Sequence, residues 1–398
     1  LRRLAALERK KIETEYKETL VLIKELAGLL KSSKKMRVVA AEELLKVKAA
    51  YGDRRRTQIV SMKGRKAKKA PLTAAELVVD KVVWIGMTPD GTLARTRDDK
   101  PFRLSGSEAP KLLVKANATD TLYLVSKRGL AAAVAVHTLP EAEKLADGNT
   151  FSKQSPLQAD EVPVAAFALP ARKSDLPGET TLLTVTRGGM VKKSLVSDLP
   201  GPSAQTFRLV NVNEGDSLGW VALTDGRKEI LLATALGMAI RFNEEDVRPM
   251  GLAAAGVNGI KLGVGDAVVG MQILPGTGDL FLIASDGKGK RVEVKDFPAQ
   301  GRYGKGVIAW ELARGVTLVG LAIGKPNAIV TLHLLKAAPK MARLDEAPLR
   351  KRTALRGEAV LEIKPGDMLL GLTEGWAVER FVQLVKKDEK KKTSAKKK

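Results

Sequence analysis

The chain has 398 residues and no cysteine, which excludes disulfides, zinc–thiolate sites and thiol catalysis. Histidine is nearly as scarce: His137 and His333 are the two present, far apart in sequence. That argues against a histidine metal centre or a catalytic triad, and both read as ordinary strand residues. Aromatics make up 4% of the chain, too few for a protein that grips single strands by stacking their bases. No apolar run approaches the roughly 18 residues of a membrane-spanning helix. The first residues, Leu1-Arg2-Arg3-Leu4, show neither Met nor an apolar leader; an internal starting point in a longer polypeptide is expected.

What is abundant is positive charge. Lys and Arg number 68 against 45 Asp and Glu, a net charge of +23. Such an excess attracts polyanions, because neutralising phosphates releases condensed counterions. Part of it lies in segments that read as unfolded: a basic linker over 60–77, containing the run Lys63 to Lys69, and a Lys-rich tail over 385–398. The chain between them stays basic. Charge alone fits nucleic acid, a membrane surface or an acidic protein; among nucleic acids, the scarcity of aromatics favours a duplex gripped by its backbone. The length suits two or three domains, and 44% hydrophobic residues suffice for a core.

Residues 1–59 read as helical. Ile12, Tyr16, Leu20, Ile23, Ala27 and Leu30 recur at three- and four-residue steps among charged residues. Lys31-Ser32-Ser33 breaks the pattern, and a second helix carries Ala40, Leu44, Val47 and Tyr51 before a stop at Gly52. An antiparallel pair is expected, a plain helical hairpin being the simplest form.

From Val78 the texture becomes all-β: short Val, Ile, Leu and Thr runs punctuated by Gly, Asp and Pro. A strand, a tight turn and a second, often basic, strand recur six times, beginning at Val82, Thr121, Thr181, Ile230, Leu280 and Ala328. A turn-and-strand element follows, as in Gly215-Asp216, Gly265-Asp266, Gly315-Val316 and Gly366-Asp367. The period, roughly 40–60 residues, is that of propeller blades. Each repeat exposes an apolar face that stacking in a ring would bury. The expected fold is mainly β, six propeller-like blades over 78–384, preceded by a helical coiled-coil segment.

Cations recur on or just after the second hairpin strand: Arg95, Arg97, Lys192, Lys193, Arg241, Lys290, Arg291 and Arg343. Charge pointing into a blade-to-blade core would be costly to desolvate, so these residues are expected on one exposed edge, forming a basic track that bends a duplex. Glycine-basic loops add Arg248 and Lys261 after the fourth hairpin, and Gln300, Arg302 and Lys305 after the fifth. There, glycine admits phosphate close to backbone N–H groups. No catalytic or metal-ligating set emerges. Alternatives are solvated faces of an ordinary basic protein, a propeller scaffold that binds proteins, or a free-standing architectural protein of the nucleoid.

Three stretches resemble one family. Leu7 to Tyr16 (LERKKIETEY), Tyr51-Gly52-Asp53-Arg54-Arg55-Arg56-Thr57, and Arg241-Phe242 with Val247 to Leu262 are similar to segments of the A subunit of bacterial type IIA topoisomerases, DNA gyrase and topoisomerase IV. The resemblance runs over essentially the whole chain. It implies a C-terminal β-pinwheel, propeller-like in outline but different in strand connectivity, that wraps double-stranded DNA during ATP-dependent double-strand passage. It also implies residues 1–59 as the end of the breakage-reunion domain, a homodimer through the exit gate, an A2B2 assembly with the ATPase B subunit, and a cytoplasmic, nucleoid-associated protein with no membrane contact. The family's cleaving tyrosine belongs to a winged-helix domain expected before Leu1. Tyr16, Tyr51, Tyr123 and Tyr303 do not match its motif, so this stretch alone is expected to be inactive. No cofactor is expected in this chain, ATP and magnesium acting through the B subunit. One departure stands out. The glutamine–arginine–glycine box of gyrases is missing from the first repeat, where Asp99 to Pro110 stands instead, and its nearest match is Gln300 to Gly306. Strong negative supercoiling is thereby in doubt, and a topoisomerase IV-like role gains ground.

Overall fold

The structure, a computed structural model, describes residues 2–51, 78–172, 176, 180–276 and 278–375, with side chains from residue 8. The stretch after Tyr51 that includes Gly52 to Thr57, the basic linker and the Lys-rich tail lie outside the described residues. The chain divides into two units, Leu1–Ala70 and Pro71–Lys398.

In the first unit, α1 spans Arg2–Leu30 and α2 spans Ser33–Tyr51. Ser32 begins α2: its hydroxyl accepts the Lys35 N–H at 3.4 Å and its carbonyl accepts the Met36 N–H, the usual service of a serine N-cap. The joint falls where the sequence places it, but the expected packing does not occur. From residue 8 to 51, Leu29 and Ser32 are half-buried and every other residue is exposed. Ile12, Tyr16, Leu20, Ile23 and Leu30 on α1, with Leu44, Val47 and Tyr51 on α2, face solvent. The two stripes are apolar at helical spacing, yet neither covers the other.

The second unit is six small antiparallel sheets. Blade 3 shows the plan. Thr181–Thr186 and Met190–Leu195 form the hairpin, Leu218–Thr224 pairs with its first strand, and the two-residue strand Val257–Asn258 pairs with its second. That last strand comes from the next repeat, reached after the next hairpin has already been made. Repeats 2 to 6 therefore each lend an outer strand backwards before returning to complete their own blades. Asn149–Thr150, Phe207–Arg208, Val307–Ile308 and Glu358–Ala359 do the same for blades 1, 2, 4 and 5. The strands at the opposite edge of each sheet, such as Leu218–Thr224 and Val268–Leu274, neighbour one another from blade to blade around the ring.

Local chemistry explains the fixed order of hairpin and Gly-Asp element. Asp216 accepts the Gly188 N–H at 2.7 Å, Asp266 the Leu236 N–H at 3.0 Å and Asp367 the Lys336 N–H at 2.9 Å. Each aspartate thus caps the hairpin turn of its own blade. Gly129, Gly237 and Gly287 close such turns with φ near +80°, a region open to glycine without steric cost. A Cβ at any of them would also strike the carbonyl of Val210, Trp310 or Leu361, so these turns are where the lent strand docks.

Five apolar clusters lie between successive blades, for example Leu183, Val191, Ile230, Ile240, Phe242 and Ile260 between blades 3 and 4. Blade 6 differs: Ile329–Leu334, Lys340–Arg343 and Leu369–Glu374 make three strands, with no lent fourth among the described residues. The short first-repeat stretch reaches it instead. Gly106 N–H donates to the Pro339 carbonyl (2.9 Å), Thr331 Oγ1 to the Leu104 carbonyl (2.7 Å) and Thr373 Oγ1 to the Lys111 carbonyl (2.8 Å). These contacts close the ring, and no apolar cluster spans that seam among the described residues.

Candidate nucleic-acid interface

The second hairpin strand does not present a basic edge. Lys192 is 1% and Lys290 0% exposed, and Lys193 is buried too. The expected desolvation cost is offset because each ammonium meets carbonyls instead of apolar surface. Lys192 Nζ donates to the carbonyls of Leu209 (2.7 Å) and Leu252 (2.6 Å). Lys290 Nζ donates to those of Arg352 (2.9 Å) and Ala354 (2.8 Å) and sits 5.2 Å from the centre of the Trp310 ring. Lys193 Nζ donates to the Glu244 carbonyl at 3.0 Å. A lysine stem is apolar enough to line a core if its three donors find acceptors at the end. Burial still disfavours the charged form, and pushes both Lys192 and Lys290 down to about 8.

Three arginines of that strand are engaged as well. Arg95 pairs with Glu141 (2.8 Å), Arg241 with Glu229 (2.5 Å) and Arg291 with Asp279 (3.1 Å), all largely covered. Arg241 also donates to the carbonyls of Val294 and Phe297, and Arg291 to that of Ala347. These side chains fasten each hairpin to the crossover segment of the next repeat. Arg97, 77% exposed, shares Glu141 with Arg95, and Arg343 pairs with Asp345. Locally neutralised, both are poorer phosphate ligands than a free cation.

Exposed cations occur on the hairpin turns, as at Lys127, Arg187 and Lys288, and form a further set on the crossover loops along the outer rim. Arg248, Lys261, Arg302 and Lys305 are exposed and Gln300 is half-buried. The same loops carry cations that the strand-based reading passed over: Arg208 in repeat 3, Arg314 in repeat 5, and Arg350, Lys351 and Arg356, with half-buried Arg352, in repeat 6. The signal was present, since each lies on or near a lent strand, and Gly306 and Gly357 introduce those of repeats 5 and 6. Finding it required alignment on the loops rather than on the strands.

Neighbouring loops are stitched together. Asn211 N–H donates to the Ala254 carbonyl (3.1 Å), Lys261 N–H to Gly304 (2.9 Å), Tyr303 N–H to Gly259 (2.8 Å) and Trp310 Nε1 to Leu355 (2.9 Å). Arg302 reaches back to the Asn258 carbonyl at 3.0 Å, and Arg352 likewise to that of Ile308. The loops of repeats 3 to 6 thus form one continuous band. Its cations multiply toward repeat 6, where Glu358 answers Arg350 at 2.6 Å. A curved row of cations on fixed backbone can meet successive phosphates of a bent duplex without reading bases.

Neither histidine points to a metal. His333 Nε2 contacts Thr373 Oγ1 at 2.8 Å, and burial, with Lys111 nearby, lowers the ring to about 4. Among the described residues no group of three or more His, Asp or Glu could hold an ion, and no helix is long and apolar enough to cross a membrane.

Comparison with known proteins agrees with this architecture. The family described as "DNA gyrase C-terminal domain, beta-propeller" matches residues 180–224, 228–275 and 278–325. The A subunit of DNA gyrase from Pseudomonas aeruginosa is 31% identical over 425 aligned positions, covering 94% of this chain and 45% of that protein. That of Helicobacter pylori strain J99 is 30% identical, covering 93% and 45%. The chain therefore spans a little under half the length of these relatives. Among solved structures, the C-terminal domain of DNA topoisomerase IV superposes with a TM-score of 0.65 at 23% identity, covering 78% of this chain and 98% of that one. The C-terminal domain of DNA gyrase A gives 0.60 at 17% identity, covering 74% and 99%. The two share the fold.

Proposed function

Because this chain belongs to the DNA gyrase A-subunit family of type IIA topoisomerases and carries its C-terminal β-propeller, we propose that its outer band binds duplex DNA by the backbone and bends it around the ring. The observation that carries this reading is the stitched row of exposed cations from Arg248 through Lys261, Arg302 and Lys305 to Lys351 and Arg356. Wrapping would present a DNA segment for ATP-dependent strand passage by the whole enzyme. Cleavage belongs to a tyrosine outside this chain, and ATP with magnesium to the B subunit of an A2B2 assembly acting in the cytoplasm. The uncovered apolar stripes of α1 and α2 suit packing in a homodimer.

Duplex affinity measured against salt tests the reading. The logarithm of affinity should fall linearly with that of salt, by about 0.9 for each phosphate neutralised, and Arg302→Ala with Lys305→Ala should flatten the slope. Absence of duplex binding at low salt rejects it. Residues 99–110 supply Lys100 and Arg103 as their only cations, and part of the stretch is spent on the seam. That observation favours a topoisomerase IV-like, relaxing or decatenating enzyme over strong chiral wrapping. A linking-number shift comparable to that of a gyrase, in plasmid treated with this chain and a nicking-closing enzyme, would reverse the preference.

A further inference from the structure

Tyr303 is the one residue other than glycine that adopts a left-handed backbone (φ 67°) among the described residues. An L side chain there costs on the order of 1 kcal/mol, which glycine would avoid, and Gly301, Gly304 and Gly306 stand around it. The fold has no visible use for the ring. It is 49% exposed, and its hydroxyl makes no hydrogen bond among the described residues. The backbone that carries it is nonetheless fixed, because the Tyr303 N–H is bound to the Gly259 carbonyl and the Gly304 carbonyl accepts from the Lys261 N–H. Exposed Arg302 and Lys305 flank it. The corresponding residues in repeats 4 and 6 are Ala253 and Thr353, neither aromatic.

We propose that Tyr303 is a wedge on the rim: its ring enters the minor groove where the groove faces blade 4, while Arg302 and Lys305 take the phosphates on either side. Where a duplex wraps a protein without base readout, side chains enter the minor groove each time it faces inward, and neighbouring groups hold the adjacent phosphates. The ring would press on the sugar edges that wall the groove, contacts that carry no sequence code and suit a wrapping surface. A side chain kept at a backbone cost and aimed at solvent marks where such a contact is made.

The proposal rests on the duplex reading, and the test separates the two. A short duplex carrying a donor and an acceptor dye at its ends is titrated with the whole 398-residue chain and with its Tyr303→Gly, Tyr303→Phe and Arg302→Ala/Lys305→Ala variants. Tyr303→Gly should melt no lower than wild type, since it relieves the backbone. It should bind roughly fivefold more weakly, in line with loss of one aromatic contact, and end-to-end transfer should fall toward that of free DNA. Tyr303→Phe should restore both. If Tyr303→Gly binds and bends like wild type, the wedge is overturned and the duplex reading stands. If Tyr303→Phe loses as much as Tyr303→Gly, the hydroxyl is the contact and the wedge is again overturned. If the wild-type chain binds no duplex, both fall.

Discussion

Blades 3 and 5 support their outer loops from beneath with a lysine, whereas blade 4 has Ile240 at the same strand position. Lys192 and Lys290 end on carbonyls of the Leu252 and Arg352–Ala354 loops. Ile240 packs in the apolar cluster with Val191 and Ile260, and Gly304 lies just above it. Two loops are therefore pinned through their carbonyls, while the loop between them has glycine and the strained Tyr303 over an apolar floor. A repeated lysine in a basic protein can be internal scaffolding. The loop that lacks the strut is the one whose side chains are free to specialise.

The comparison is broken most severely by carrying the strut into the wrong blade. Ile240→Lys removes a fully buried apolar side chain and places an ammonium in an apolar cluster, with an expected loss of about 3 kcal/mol or more in urea unfolding. A loss below about 1 kcal/mol would show that blade 4 already offers a carbonyl seat.

Removing the strut where it belongs should do less. Lys290→Met leaves the Arg352 and Ala354 carbonyls without their donor, but it also relieves a desolvated charge, so about 1–2 kcal/mol is expected at pH 7. Hydrogen exchange should quicken over 350–357 and not over 250–256. This difference should grow with pH. Lys290 titrates near 8 when folded, below its ordinary 10.5, so between those values the unfolded chain binds more protons and folding gains with rising pH, by at most ~1.4 kcal/mol per pH unit. Below about 8 the contribution is flat. Wild type and variant keeping a constant gap from pH 7 to 10 would refute the buried charge.

The smallest effect on stability belongs to the rim. Lys261→Ala should change unfolding by less than about 0.5 kcal/mol yet reduce the salt slope of duplex binding by about one. Equal loss of slope in Lys192→Met, with its loop intact by hydrogen exchange, would return the buried lysine to the interface.

The linear pattern was legible wherever the cause is local. Hairpins around Gly129, Gly189, Gly237 and Gly287, and the Gly-Asp elements that cap such turns, follow from residues that touch their near neighbours in the chain or the partner strand. Arg302 and Lys305 were readable because glycine-rich loops run over surfaces. The seat of Lys290 was not, since its partners lie 62 and 64 residues later, and a Lys-Arg pair on a strand looks the same whether carbonyls or water wait at its end. The helices show the opposite failure: their apolar stripes were plain in the sequence, but periodicity does not say what covers a stripe.

By itself, then, the sequence determined a basic protein of six repeated hairpins with a helical lead-in, because turn chemistry, strand alternation and net charge are properties of short segments. Only the folded chain decided which cations are struts and which face solvent, that repeats 2 to 6 lend an outer strand backwards, and that among the described residues hydrogen bonds from the first repeat close the ring at the three-stranded blade. The reason is physical. Whether a charge can be buried depends on acceptors brought from distant segments, and only folding brings them there.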